Sequence, residues 1–266
     1  AVESGLTGTT VTWTPPSDGV YRVELYSVRD ELTSWQKYSH IVTVGEAEVD
    51  PYWANVVSLL EFSGADGSTA ITDAKGKVWS VHGNAQISTV RSAGGVSSLL
   101  LDGAGDYIST PYDPDFDFGT GDFTIEWFQY VSTLKAFSPI DFRGGVSNSP
   151  RPMLYNTFSS PGTDLFYYLS GANRISGPSG TVSVAIFQHC ALCRVDGVTR
   201  LFVGGAQRGA SYADTTNYTN AGVFVGRNTV TNDRDFSGHV DGWRVTKGVG
   251  RYAADFTPPL LPYPQA

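Results

Sequence analysis

The sequence predicts an all-β protein: an antiparallel two-sheet jelly-roll sandwich, preceded by a small separate β-segment. Three observations lead there. Composition is the first: 30 Gly, 14 Pro, 13% aromatic and only 17% charged residues leave few long helix-forming runs. The second is a succession of short runs in which apolar and polar side chains alternate, the period of a half-buried strand. Gly, Asp and Asn turns separate them. The third is the ending. From Asp241 the alternation runs through Trp243-Arg244-Val245, and the chain leaves by Gly248, Gly250 and Arg251-Tyr252 to Phe256-Thr257-Pro258-Pro259. Such an ending pins a last strand and wraps the tail back over the fold.

The elements follow in order. Residues 1–45 read as three strands: one around Val11 and Trp13, one carrying Tyr21, Val23 and Leu25 on a single face, and Tyr38–Val44. Pro15, Pro16, Asp18 and Gly19 supply the first turn. Three strands leave one sheet face exposed, so this segment reads as part of a larger module. Residues 46–55 form a linker with an acidic start, and residues 56–266 a second domain. That domain opens with Val56–Phe62, continues through Ile71–Asp73 and Val78–Val81, and then pairs Ser98–Asp102 with Tyr107–Ser109 across a Gly-rich turn. Asp122–Val131 is the strongest central strand. Ile186–Val195 and Thr199–Gly204 form a hairpin across Asp196-Gly197, and Ala221–Gly226 precedes the closing strand. Strands at this spacing suggest a sandwich or jelly roll.

The net charge is −8, which argues against nucleic acid and anionic membrane as primary partners. No apolar run approaches the roughly 18–20 residues of a membrane span. The start, AVESGLTGTT, lacks the basic and apolar regions of a signal peptide and lacks an initiator Met. The chain is therefore expected to begin after processing or at a cut inside a longer polypeptide. Cys190 and Cys193 have C-x-x-C spacing, but residues three apart on a strand face opposite ways, about 10 Å apart and beyond disulfide reach. A zinc site needs further ligands at motif spacing, and the sequence has none. Both are expected to be structural, reduced and partly buried.

The strings SLLEFSGADGSTAITDAKGK, SSLLLDGAGDYISTP, DFDFGTGDFTIEWF, FQHCALCRVDGVTRLFVGG and FSGHVDGWRVTKGVGRYAADFTPP occur in this order between residues 56 and 260. They resemble laminin-G-like, concanavalin A-like lectin jelly rolls, in particular those of phage tail-fibre and tip-attachment proteins. In related domains the fourth string often reads WHHVAVVRDGGTLRLFVDG, so Phe187-Gln188-His189 holds its Trp-His-His place. Cys190 and Cys193 stand where small apolar residues are usual. The strings VYRVELYSV and SWQKYSHIVTV resemble the later strands of a fibronectin type III domain, of which half is present. The resemblance implies a non-enzymatic binding module of a tail fibre or tail tip that recognises a host cell-surface component, in particular a glycan. It further implies other tail-tip proteins as partners, a homotrimer, and a place on the virion tail. Structural capping of the tip, or a carbohydrate-binding module of a secreted bacterial protein, are the alternatives.

The fold alone does not name a ligand, so each candidate is weighed on its residues. Some members of the superfamily are glycoside hydrolases. Here Asp122 and Glu126 share a face of one strand but stand about 13 Å apart, wider than either hydrolytic geometry, the inverting one needing about 6.5–9.5 Å. Glu126 reads instead as a polar residue on a partly covered face. Asp113, Asp115 and Asp117 mimic a calcium loop, but Phe118 and Thr124 occupy the places that need Gly and Glu. Laminin-G-like domains often hold a calcium ion at the sandwich rim. Asp66, Asp102, Asp106 and Asp241 are the candidates for such an ion, against the plainer reading of four scattered acids. There is no G-x-S-x-G nucleophile elbow. Between Ser132 and Val184, Arg143, Asn148, Arg151 and Tyr155 combine aromatic faces with polar forks, which suits sugar recognition. Asn228 and Asp233 mark a second rim. Ordinary loops and core aromatics would look the same residue by residue.

Overall fold

The computed structural model describes residues 19–28, 35–44, 49–94, 96–157 and 163–265, with side chains from residue 49 onward. The strand expected around Val11 and Trp13 lies outside the described residues. The chain divides into two compact units, Ala1–Val49 and Asp50–Ala266. In the first, β1 (Gly19–Val28) and β2 (Trp35–Val44) pair antiparallel, from Gly19 opposite Val44 to Val28 opposite Trp35.

The second unit is a sandwich of two antiparallel sheets. Its strands are β3 (Val56–Leu60), β4 (Ser80–His82), β5 (Gln86–Ser88), β6 (Ser98–Asp102), β7 (Tyr107–Thr110) and β8 (Phe123–Val131). There follow β9 (Ile140–Asp141), β10 (Met153–Tyr155), β11 (Leu165–Leu169), β12 (Ala172–Gly177), β13 (Phe187–Val195) and β14 (Val198–Val203). The last are β15 (Ala206–Gln207), β16 (Tyr212–Ala213), β17 (Val223–Val225) and β18 (Ser237–Lys247). One sheet has seven strands in the order β12-β11-β10-β9-β17-β7-β4. The other has nine, in the order β15-β14-β13-β8-β18-β6-β5, with β16 beside β14 and β3 beside β18.

Alternation sorts the side chains. Phe123, Ile125 and Trp127 of β8, Cys190 and Leu192 of β13, and Val240, Trp243 and Val245 of β18 point into one core between the sheets. Ile108, Ile140, Leu154, Leu165, Tyr167, Val223 and Val225 meet them from the seven-stranded sheet. Trp243 is fully buried, 6.3 Å from Trp79 and 6.2 Å from Trp127 between ring centroids. The β13–β14 turn has both Asp196 (φ 50°) and Gly197 (φ 69°) left-handed, the conformation that a tight two-residue hairpin demands. Cys190 lies in the main core and Cys193 on the other side of the sheet; both are free thiols and buried.

The tail does wrap back, and more tightly than alternation alone suggests. Tyr252 and Phe256 stack at 3.6 Å over Ala191, Cys193 and Phe202. Tyr263 and Leu261 cover Val56 and Leu59. Two glycines permit this close approach. A Cβ at Gly250 would lie 2.2 Å from the Arg194 carbonyl oxygen, and one at left-handed Gly205 2.0 Å from that of Phe256. Residues 50–55, read from sequence as linker, belong to this second unit: Asp50 is buried under the tail, and Trp53–Asn55 form a short 3-10 turn leading into β3.

Candidate functional site

The outer face of the nine-stranded sheet is sealed. Glu126 is fully buried there, which corrects the expectation of a partly covered position; the tail supplies the missing cover. Its Oε1 accepts from Arg244 Nε at 2.9 Å, and its Oε2 accepts from the Tyr252 hydroxyl at 2.7 Å and meets His189 Nε2 at 3.1 Å. Burial alone would raise this carboxyl. The Arg244 charge and the hydrogen bonds from His189 and Arg244 outweigh burial and bring it down to about 2. Asp50 completes the cluster by accepting from Arg244 Nη1 at 3.1 Å and from both Arg251 Nη1 and Nη2, at 3.0 and 2.7 Å. Glu126 has both oxygens engaged and no opening to solvent. Asp122, half-buried just before the strand, accepts from the Asp196 N–H. The pair brings no reacting carboxylates together.

The seven-stranded sheet presents a different outer face. With Leu154 and Leu165, Tyr167 and Leu169 turned inward, Met153 and Tyr155 of β10 and Phe166 and Tyr168 of β11 turn outward. Register places Met153 opposite both Tyr168 and Asp141, and Tyr155 opposite Phe166. Asp141 in turn stands opposite Phe224, and Phe224 opposite Ser109. Tyr107 and His82 continue the row, stacked at 4.1 Å. Tyr155, Phe166, Tyr168, Tyr107 and Phe224 are all half-buried rather than sealed.

Two loops rise beside this row and enclose a pocket of about 240 Å³. Its lining includes Arg143, Tyr155, Tyr168, Asn228, Thr231 and Arg234. Asp141 fixes Arg143 through paired bonds, Nε to Oδ1 at 2.9 Å and Nη2 to Oδ2 at 2.8 Å. Arg143 Nη2 also donates to Asn228 Oδ1 at 2.8 Å. Asp141 is held from the second loop by the Thr229 N–H and hydroxyl, at 2.9 and 2.8 Å. The Arg143 guanidinium sits 5.5 Å from the Tyr168 ring and that of Arg234 5.1 Å from Tyr155. The two tyrosines meet edge to face at 6.2 Å.

Of the six candidate ligand-binding residues, Arg143, Tyr155 and Asn228 line this pocket. The other three brace it. Asn148, in a left-handed conformation, accepts from the Tyr168 hydroxyl at 3.3 Å. Arg151 reaches the Arg143 carbonyl at 3.5 Å. Asp233 accepts from the Asn228 N–H through its carbonyl and from the Thr231 hydroxyl through its carboxylate, closing the second loop. Ser147, Met153, Val230 and Thr231 also line the pocket and were not singled out from sequence. For Met153, the alternation around Leu154 is the signal that points outward.

The four candidate metal ligands are not brought together, and backbone N–H groups occupy their oxygens. Asp66 is exposed and accepts from Thr89 N–H at 2.9 Å. Asp106 accepts from Asn84 N–H at 2.7 Å and Asp102 N–H at 2.9 Å, while Asp102 accepts from Ala104 N–H at 2.7 Å. Asp241 is buried between the N–H groups of Ala93 and Gly242, at 2.8 and 2.9 Å. Burial, first, and the charge of Glu61 raise the Asp241 carboxyl to about 7 despite those two bonds. Only Asp102 and Asp106 are neighbours, and among the described residues no three His, Cys, Asp or Glu side chains gather as metal ligands. This donor set does not fit the shell of about six to eight oxygens that calcium takes.

The comparisons agree with this architecture. The family model of the concanavalin A-like lectin/glucanases superfamily matches residues 102–249, more than half of the chain, and the chain belongs to that superfamily. Among solved structures, it is similar to domain 4 of AbnA, a GH43 extracellular arabinanase from Geobacillus stearothermophilus, in complex with arabinotriose. The identity is 15% and the TM-score 0.51, over 74% of this chain and 94% of that one. The binding domain of botulinum neurotoxin serotype D is 12% identical with a TM-score of 0.55, over 76% of this chain and 50% of that one. The binding domain of botulinum neurotoxin DC in complex with SialylT is 10% identical with a TM-score of 0.52, over 73% and 48%. This chain thus spans about half the length of those toxin domains. Identities this low show the shared fold alone. No curated protein matches the sequence.

Proposed function

We propose that this chain is a non-enzymatic glycan-binding module of a phage tail fibre or tail tip, recognising a host cell-surface sugar through the outer face of its seven-stranded sheet. One observation carries the binding reading: the pocket that sets two half-buried tyrosines beside two arginines and Asn228 on that face. The apolar C–H face of a pyranose stacks on Tyr155 or Tyr168, and the guanidinium edges bond its oxygens. Two similar structures, a domain in complex with arabinotriose and a domain in complex with SialylT, support a sugar as the ligand class. The sealed, ion-paired state of Glu126 supports a binding role over hydrolysis.

The tail context rests on the five sequence strings and on the fibronectin-like strands before them. In it the module is a homotrimer on the virion tail, in contact with other tail-tip proteins. The similarity to an arabinanase domain favours a second reading, an accessory carbohydrate-binding module of a secreted bacterial protein. A glycan array combined with competition of the purified chain against phage adsorption separates them. Sugar binding with competition is the expected result. Binding without competition favours the secreted module, and neither overturns both in favour of structural capping.

A further inference from the structure

The chain carries a net charge of −8, yet the ionic side chains lining the pocket are Arg143 and Arg234, with no carboxylate among the lining residues. Arg143 is 4% exposed. Its Nε and Nη2 are engaged by Asp141 and Asn228, and among the described residues its Nη1 has no protein partner. The Asp141 carboxylate lies behind the guanidinium, where it offsets the desolvation of that charge and locks its orientation. Arg143 is therefore held rigid with one nitrogen, Nη1, left for a ligand. Arg234 flanks the opposite tyrosine. Its backbone is left-handed (φ 55°), its Nε is buried without a partner, and its Nη1 has a single contact, 3.4 Å from an Asp233 oxygen that also takes the Thr231 hydroxyl, so its terminal nitrogens are the ones open to a ligand.

The rest of the lining shapes what can enter. The Asn228 side-chain oxygen Oδ1 is occupied by Arg143 and by the N–H groups of Val230 and Thr231. The hydroxyl protons of Tyr155, Tyr168 and Thr231 point to Asn173, Asn148 and Asp233. These hydroxyl oxygens can still accept from sugar O–H groups. The unengaged charged donors are guanidinium edges, which have no acceptor capacity and pair best with a planar anion.

Resting on the glycan reading above, we infer that the pocket selects an acidic sugar, one whose ring carries a carboxylate set between Arg143 and Arg234. The ring itself stacks on the tyrosines. The decisive experiment is titration calorimetry with matched probes: sialyllactose against lactose, oligogalacturonate against its methyl ester, and dextran sulfate against dextran. A carboxylate-bearing probe is expected to bind about tenfold or more tightly than its neutral partner, as a charge-assisted hydrogen bond implies. That gap narrows with added salt and collapses in Arg234→Gln, whose melting temperature stays near that of the parent. Equal binding of both members of each pair overturns the acid preference while leaving glycan binding intact. A preference confined to the sulfated probe overturns the carboxylate assignment. A preference that persists undiminished in Arg234→Gln places the acid elsewhere and overturns the site. Binding of no probe here and of no sugar on the array overturns the glycan reading itself.

Discussion

On the outer face of the nine-stranded sheet, Arg244 lies between Glu126 and Asp50 with the Tyr263 ring 3.8 Å from its guanidinium. On the outer face of the seven-stranded sheet, Arg143 lies against Asp141 with the Tyr168 ring 5.5 Å away. The ingredients are the same: a buried arginine, a carboxylate and an aromatic cap. At Arg244 the C-terminal tail closes over all of them, and its Arg251 and Tyr252 bond the same two carboxylates. At Arg143 no such strap crosses among the described residues, and the guanidinium lines a pocket. An ion pair on a sheet face thus becomes a clasp or a recognition element according to what lies above it.

Breaking the covered cluster should have the largest effect. Glu126→Ala leaves Arg244 and His189 without their shared partner, and removing one member of a buried pair costs about 3–5 kcal/mol. Denaturant unfolding should show that loss, with sugar affinity of the folded fraction unchanged. Lost affinity at unchanged stability would reverse the assignment of the two faces.

Acid should act on the same face. The Glu126 carboxyl lies at about 2 in the fold against an ordinary 4.5. The folded value is the lower one, so its contribution is present above pH 4.5 and is lost as the pH falls towards 2. The loss is about 3 kcal/mol across that window. Melting curves for the parent should fall steeply there, and those for Glu126→Gln should fall less.

On the open face the order reverses. Tyr155→Ala should weaken sugar binding roughly three- to tenfold, the worth of one aromatic contact. As Tyr155 is half-buried, thermal melting should change by about 1 kcal/mol or less of stability. A large stability loss with intact binding would make this face structural. Smallest is the rim: Asp66→Ala should alter stability by less than about 0.5 kcal/mol, and a chelator should not move the melting temperature. A downward shift with chelator would restore a metal to the fold.

Much of the framework was legible because strand periodicity is local. Ser98–Asp102 was read with the same bounds as β6, and β8, β13 and β14 lie within a residue of theirs. The opposite faces of Cys190 and Cys193 and the return of the tail were legible for the same reason. The burial of Glu126 is not legible there, because alternation states which way a side chain points and nothing of what covers it. Arg143, Tyr155 and Asn228 were singled out by residue type. Their convergence was illegible, since it depends on β17 lying next to β9 and bringing two loops together that are 85 residues apart at Arg143 and Asn228.

The all-β class, the strand faces, the hairpin turn at Asp196-Gly197 and the closing strand with its returning tail can all be read along the chain. Each of these follows from neighbours along the chain. That Glu126 is a sealed clasp, that Asp241 is a buried backbone acceptor and that Arg143 keeps one nitrogen free emerges only in the packed sandwich. Those outcomes depend on dielectric and on partners from distant strands, and burial of a charge is a property of the packed sandwich rather than of any stretch of it.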